Sequence, residues 1–175
     1  MRFERLPLDG ATIIHDDSAV DDRGMFNRVF SAFDFKAHGI PEIFLQMGLS
    51  RTAKRGTLRG MHFQHAPKAE GKLIRCIRGR AFDAIIDLRR DSKTFKQSFT
   101  IELAGDANFS LYVPPGFAHG FLTLTDDVEM YYNITEVYAA ELADGVRWND
   151  PAFGITWPEA IKLISQRDRD FKDFA

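Results

Sequence analysis

A single cysteine, Cys76, stands among 175 residues. One thiol closes no intramolecular disulfide and offers zinc no cysteine pair, which excludes a disulfide-stapled scaffold and a zinc ribbon. Within the apolar alternation "LIRCIRG" it reads as a small buried hydrophobe. No apolar run approaches the ~20 residues that a membrane helix needs. The opening "MRFERLPLDG" lacks the continuous apolar stretch of a secretory signal. No membrane partner is expected, and a reducing cytoplasm is the expected address. Charge of one sign is scarce too: 23 Lys and Arg against 25 Asp and Glu leave a net charge of -2. That balance gives no basic footprint for nucleic acid. No repeat, linker or low-complexity tract divides the chain, so one domain over residues 1–175 is expected. The densest charge run, "SQRDRDFKDF", alternates sign and by itself reads as a solvated tail.

What the sequence does have is a succession of short strand-like runs. They cover 42–50, 57–64, 72–79, 80–89, 97–103, 109–114, 119–125 and 128–138. Turn-prone pieces separate them: "RG", "RRDS", "PPG" and "DD". Many short strands at regular spacing predict an all-β antiparallel sandwich or barrel. Helix is expected only over 31–39, with Ser31 as cap and Gly39 as stop, and over 158–165. Alternation puts Val128, Met130, Tyr132 and Ile134 on one face of their strand, so Tyr132 points inward and its hydroxyl needs a partner. In "RAFDAIIDLR" the same rule puts Asp83 and Asp87 opposite Phe82, Ala84 and Ile86. They face solvent, or a polar cavity if both faces of the strand are covered. A structural ion pair or hydrogen bond is expected for Asp87.

Histidines concentrate in the middle of the chain. "TLRGMHFQHAPKAEGKLIRCIRG" carries His62, His65 and Lys72, and "VPPGFAHG" carries His119. The piece "PPGFAH" resembles the second motif of the cupin superfamily, which implies a small jelly-roll barrel with a few short helices. Many cupins hold a metal through two histidines, a glutamate and the second-motif histidine. Here that set would be His62, His65, Glu70 and His119. Residues i and i+3 diverge on a regular strand, and Lys72 opposes a divalent cation. No metal is expected, and His65 reads as a surface loop residue.

A more specific resemblance runs along nearly the whole chain. The order "DDRGMF", "LRGMHFQ", "EGKLIRCIRG", "FDAIIDLR", "VPPGFAHGFL", "EMYYNITEVY", "VRWNDPAFGITWP" and "SQRD" is similar to that of the nucleotide-sugar 3,5-epimerases. The family's chemistry is inversion at the carbons flanking the carbonyl of a nucleotide-linked 4-keto-6-deoxy sugar. It needs a base, an acid on the opposite ring face and a positive group at the enolate oxygen. The oxidation state does not change, so no cofactor is implied.

By this resemblance His62 is the base; imidazole titrates near ~6.5, which suits proton removal at neutral pH. Asp168 is its carboxylate partner, Tyr132 the proton donor and Lys72 the cation at the keto oxygen. Asp83 and His119 match further active-site positions. Arg23 and Arg59 match substrate-contacting arginines, suited to a pyrophosphate. Arg167 stands where the family has lysine, Gln46 matches a binding glutamine, and Tyr138 matches the aromatic that stacks on the base. A homodimer is implied, with the N-terminal segment crossing to the partner.

The chain departs from the family at three places. Arg28 stands for a glutamate, Gln46-Met47-Gly48 for Gln-Asp-Asn, and Ala143, flanked by Glu141 and Asp144, for a loop carboxylate. A pure donor such as Arg28 suits an acceptor such as cytosine N3 or a different sugar or phosphate contact, which opens CDP- or GDP-linked substrates, or a dTDP-sugar outside the rhamnose route. Inversion at C3 or C5 alone, a 3,4-ketoisomerase and a non-catalytic sugar-binding cupin are the alternative readings.

Overall fold

The computed structural model describes residues 1–174; Ala175, the last residue of the expected domain, lies outside the described residues. The chain opens with β1 (Arg2–Arg5) and β2 (Thr12–His15), then the separate hairpin β3 (Asp17–Asp21) and β4 (Gly24–Arg28), then α1 (Ala32–Ala37). The central strands are β5 (Gln46–Thr52), β6 (Thr57–Gln64), β7 (Lys72–Arg78), β8 (Arg80–Asp87), β9 (Ser98–Ala104), β10 (Phe109–Val113), β11 (Phe117–Thr123) and β12 (Val128–Ile134). Short β13 (Ala143–Gly145), β14 (Leu163–Ile164) and α2 (Gln166–Asp170) follow.

Two sheets face each other as a jelly roll. One has the order β1-β2-β10-β7-β12-β5, the other β13-β6-β11-β8-β9, with β14 added beside β6. Alternation along the strands sends Ile74, Ile85, Leu111, Phe121 and Met130 into the layer between the sheets. Cys76 is buried there as expected, and burial pushes its thiol up to about 11. The outer faces are covered as well. Phe35 of α1 packs on Ile14, Leu73 and Tyr112 outside the first sheet. Val146 and Phe153 pack on Met61, Ala84 and Ile86 outside the second.

This double covering decides the two aspartates. With Ala84 and Ile86 packed beneath the 146–153 segment, the other face of β8 is interior, and Asp83 and Asp87 are fully buried. Asp87 holds the 89–94 turn, accepting from Arg89 Nη2 at 2.8 Å and from Thr94 Oγ1 at 2.7 Å.

Helix α1 forms where expected: Ser31 caps it by accepting from the Asp34 N–H, and Gly39 just beyond has φ +70°. The helix expected over 158–165 is absent. Leu163–Ile164 instead adds parallel to Thr57–Leu58 of β6, and the helix starts at Gln166 with Ser165 as its cap. Strand pairing overrides a weak local helical preference there. The first four strands carry little alternation, because β2 is buried throughout its first three residues and the β3–β4 hairpin is almost wholly exposed.

Candidate active site

A cavity of about 680 Å³ opens between the sheets. A local irregularity of β6 builds one wall. His62 pairs with His119 of β11, but Arg59 pairs with Phe121, so three steps on β6 match two on β11. The extra residue is a β-bulge, and it turns Arg59 and His62 to the same side although they are i and i+3. Gly60 makes it possible. Its φ is +133°, and a Cβ there would sit 2.5 Å from the Gly120 Cα, a separation that no side chain tolerates.

Asp168, the one buried residue of α2, approaches from the C-terminal segment. Its Oδ1 lies 2.7 Å from His62 Nε2, and its Oδ2 accepts from the Gly60 N–H at 3.1 Å. Burial works to raise this carboxyl, but the hydrogen bonds from His62, Gly60 and Ser165 and the attraction of His62 outweigh it and hold it below the ordinary range. An ionised Asp168 puts the imidazole proton on Nε2 and leaves Nδ1 as the bare, basic nitrogen. The charge run that reads as a solvated tail thus contains a buried residue. Alternating signs could not reveal it, because the burial comes from docking on β6.

The opposite wall carries Tyr132 of β12 and Lys72 of β7. Tyr132 points inward as alternation requires, but no hydrogen bond holds its hydroxyl among the described residues. Burial, with help from the Asp83 charge, pushes that hydroxyl far above its ordinary value, so the site keeps a protonated phenol. Lys72 Nζ is 3.0 Å from Glu70 Oε1 and donates towards the His62 carbonyl at 3.4 Å. The sequence offers Glu70 only as a metal candidate; its spacing of two residues from Lys72 is the available sign of a partner. Deeper, His119 Nε2 lies 2.7 Å from Asp83 Oδ2, while Asp83 Oδ1 is buried with no hydrogen-bond partner among the described residues. Burial raises the Asp83 carboxyl against the pull of His119 and Lys72.

The mouth of the cavity is made by Arg59, Gln46, Tyr138 and Arg167. Arg59 Nε donates to Thr52 Oγ1 at 3.0 Å, and no carboxylate pairs with it among the described residues, so its charge remains for an anion. Gln46 Oε1 accepts the Tyr138 N–H at 2.7 Å, fixing the backbone beneath an exposed phenol ring. Arg167 Nη2 donates to the Ala143 carbonyl at 3.3 Å, and Asp144 beside it pairs with His65 at 3.0 Å. His65 is exposed in the loop after β6, apart from His62 and His119. No group of three or more metal-ligating side chains occurs among the described residues.

Arg23 and Arg28 are not brought to this cavity. Both lie on the exposed β3–β4 hairpin, where Arg23 pairs with Asp21 at 2.5 Å and Arg28 with Asp17 at 3.4 Å. The hairpin pairs with neither large sheet, and neither arginine lines this cavity.

Residues 5–175 match the family described as dTDP-4-dehydrorhamnose 3,5-epimerase. The enzyme of that name from Methanothermobacter thermautotrophicus is 41% identical over 98% of this chain and 93% of its own length. A dTDP-4-dehydrorhamnose 3,5-epimerase from Bacillus anthracis, solved with TDP and pyrophosphate bound, is 37% identical, with a TM-score of 0.95 and 99% of each chain covered. A dTDP-6-deoxy-D-glucose-3,5-epimerase from Legionella pneumophila, solved with dTDP-4-keto-L-rhamnose, is 32% identical, with a TM-score of 0.91 over 98% of this chain and 92% of that one.

Proposed function

The chain belongs to the dTDP-4-dehydrorhamnose 3,5-epimerase family, and from that membership we propose that it epimerises a dTDP-linked 4-keto-6-deoxy sugar at the carbons flanking the keto group. The observation that carries the reading is the pairing of opposite walls. His62 of one sheet, held by Asp168 of α2, faces a protonated Tyr132 of the other sheet across one cavity, and among the described residues no hydrogen bond holds the Tyr132 hydroxyl.

A sugar ring between those walls presents one face to each. His62 Nδ1 takes the proton from the carbon beside the carbonyl, and the electron pair of that C–H bond passes to the keto oxygen. Asp168 stabilises the imidazolium that forms. The Lys72 ammonium, steadied by Glu70, balances the enolate charge. Tyr132 returns a proton to the same carbon from the opposite face, which inverts it. The centre loses one proton and gains one, so no electrons are exchanged with a cofactor. Arg59 takes the diphosphate, and Tyr138 supplies the surface for the base.

The reading extends to a homodimer. Val20, Met25 and Phe26 of the hairpin are exposed, as are Met47 and Leu49 on the edge strand β5. An apolar edge of this kind needs cover, and a second copy supplies it. Arg23 and Arg28 then act, if at the substrate, in the partner's cavity. A CDP-linked substrate is the alternative reading, in which Arg28 meets the base in the partner's cavity, and turnover of dTDP- against CDP-4-keto-6-deoxyglucose decides between the two. A cytoplasmic address fits the buried, unpaired Cys76. No helix among the described residues is long and apolar enough to cross a membrane.

Deuterium uptake in heavy water, followed by NMR on dTDP-4-keto-6-deoxyglucose, tests the reaction. Label is expected at C3 and C5. His62→Ala should abolish uptake, whereas Tyr132→Phe should slow inversion more than deprotonation. Wild-type uptake by the His62 variant would overturn the mechanism.

A further inference from the structure

Phe171, the residue that ends α2, meets the His62 imidazole edge to face, with the ring centroids 6.0 Å apart and the planes at 73°. Gly145 makes room for it. That glycine stands opposite His62 in the β13–β6 register, and a Cβ built on it would lie 2.3 Å from the Phe171 ring. A glycine inside a strand often marks such a close approach of another group. Phe171 is not among the residues that line the cavity. Its routes to the chemistry are His62 and Arg167, whose guanidinium lies 5.8 Å from the Phe171 ring centroid.

The residues after Phe171 are tied down one by one. The Lys172 carbonyl accepts the Arg147 N–H at 3.3 Å, and Asp173 pairs with the Arg147 guanidinium at 2.6 Å. The Phe174 N–H donates to the buried Asp150 at 2.6 Å, and its ring packs on Phe95 and Phe153. Helix α2 has only five residues and buries only Asp168. A helix that short is marginal on its own in water. Ser165 and β14 fix its start, and the 171–174 segment fixes its end.

We propose that Phe171 is a positioning residue for the base: seated on Gly145 and held by residues 172–174, it sets the plane of the His62 ring and so the aim of Nδ1. The inference rests on the epimerase reading. The hydrogen bond to Asp168 fixes the Nε2 corner of the imidazole at 2.7 Å but leaves the ring free to tilt about that corner. The edge-to-face contact removes that freedom. Misplacing a reacting group by ~1 Å costs on the order of 100-fold in rate.

The test places Phe171→Ala, and the milder Phe171→Leu, in the wild-type and Asp168→Asn backgrounds of the full chain. Deuterium uptake into dTDP-4-keto-6-deoxyglucose gives kcat and KM, and thermal melting checks that each variant folds. Phe171→Ala should lower kcat by about 10- to 100-fold, and Phe171→Leu by less, with KM held within about twofold. In the Asp168→Asn background, where the imidazole is already mis-set, the same change should cost less than about threefold. An equal loss in both backgrounds, or a rise in KM with kcat unchanged, assigns Phe171 to packing or to Arg167 and overturns the inference with the epimerase reading intact. Proton NMR of the His62 Nε2–H reads the positioning without substrate. Its signal should broaden or vanish in Phe171→Ala and survive in Phe171→Leu, and an unchanged signal in both variants overturns the inference. If the wild-type protein takes up no deuterium, the epimerase reading fails, and the NMR comparison still decides whether Phe171 sets the ring.

Discussion

Replacing Asp168 by asparagine changes one atom and reverses the logic of the proposed base. The carboxylate accepts twice, from His62 Nε2 at 2.7 Å and from the Gly60 N–H at 3.1 Å. An amide has one oxygen and one NH₂ to meet those two donors. If the oxygen stays with Gly60, the NH₂ faces Nε2, which must become an acceptor and move its proton to Nδ1. The base nitrogen is then occupied. The lost charge-assisted bond is worth ~1.5–3 kcal/mol, which is roughly a 10- to 150-fold fall in rate at ~1.4 kcal/mol per tenfold. The tautomer change pushes the loss towards the ~10²–10⁴ that a general base supplies. KM should change little, since the carboxylate acts through the imidazole. Asp168 also gives a pH signature. Its folded value is depressed, so the stability it contributes is present above the ordinary carboxylate range and lost as pH falls through the lower folded value. The Asp168→Asn variant lacks that contribution, and the gap in melting temperature between the two proteins should narrow in acid. The assay is deuterium uptake at C3 and C5 beside thermal melts at several pH values. Uptake at the wild-type rate in a folded variant would refute the coupling of Asp168 to the base.

Two further outcomes concern the scaffold. Burial acts to raise Asp87, but Arg89, Ser92 and Thr94 overcome it and hold the carboxyl at about 2. Against an ordinary value of ~3.9 this is worth about 2.5 kcal/mol at most near neutral pH, or ~5–10 °C for a chain of this size. Asp87→Asn should lose it, and because the group is depressed the difference should shrink to about half by pH ~3 as protonation begins; an undiminished gap in melting temperature would refute the ionic account. Gly60→Ala places a methyl against the Gly120 Cα at a φ of +133°. Strain alone costs ~1–3 kcal/mol, and the shifted bulge should also weaken dTDP binding, measured by calorimetry, because Arg59 and His62 would no longer share a face. Unchanged stability and affinity would show that the bulge does not position them.

The central strands could be read from alternation because each has one face in the layer between the sheets, and β6 spans the same residues, 57–64, in sequence and structure. Helix α1 was readable from its serine cap. The residues later found around the cavity were named by motif order, from His62 and Lys72 to His119, Tyr132 and Tyr138. Motif order could not show that Arg23 and Arg28 leave the cavity of their own chain, since that follows from a hairpin that pairs with neither large sheet.

Residue types and period-two spacing thus determined the all-β class and the inward Tyr132, because those depend only on local backbone geometry. Tertiary structure decided the rest. It buried Asp83 and Asp87 by covering both faces of β8, drew Asp168 out of a charged tail onto His62, and turned Arg59 and His62 together through the bulge at Gly60. Each of these depends on contacts between segments far apart in the chain, which no local pattern encodes.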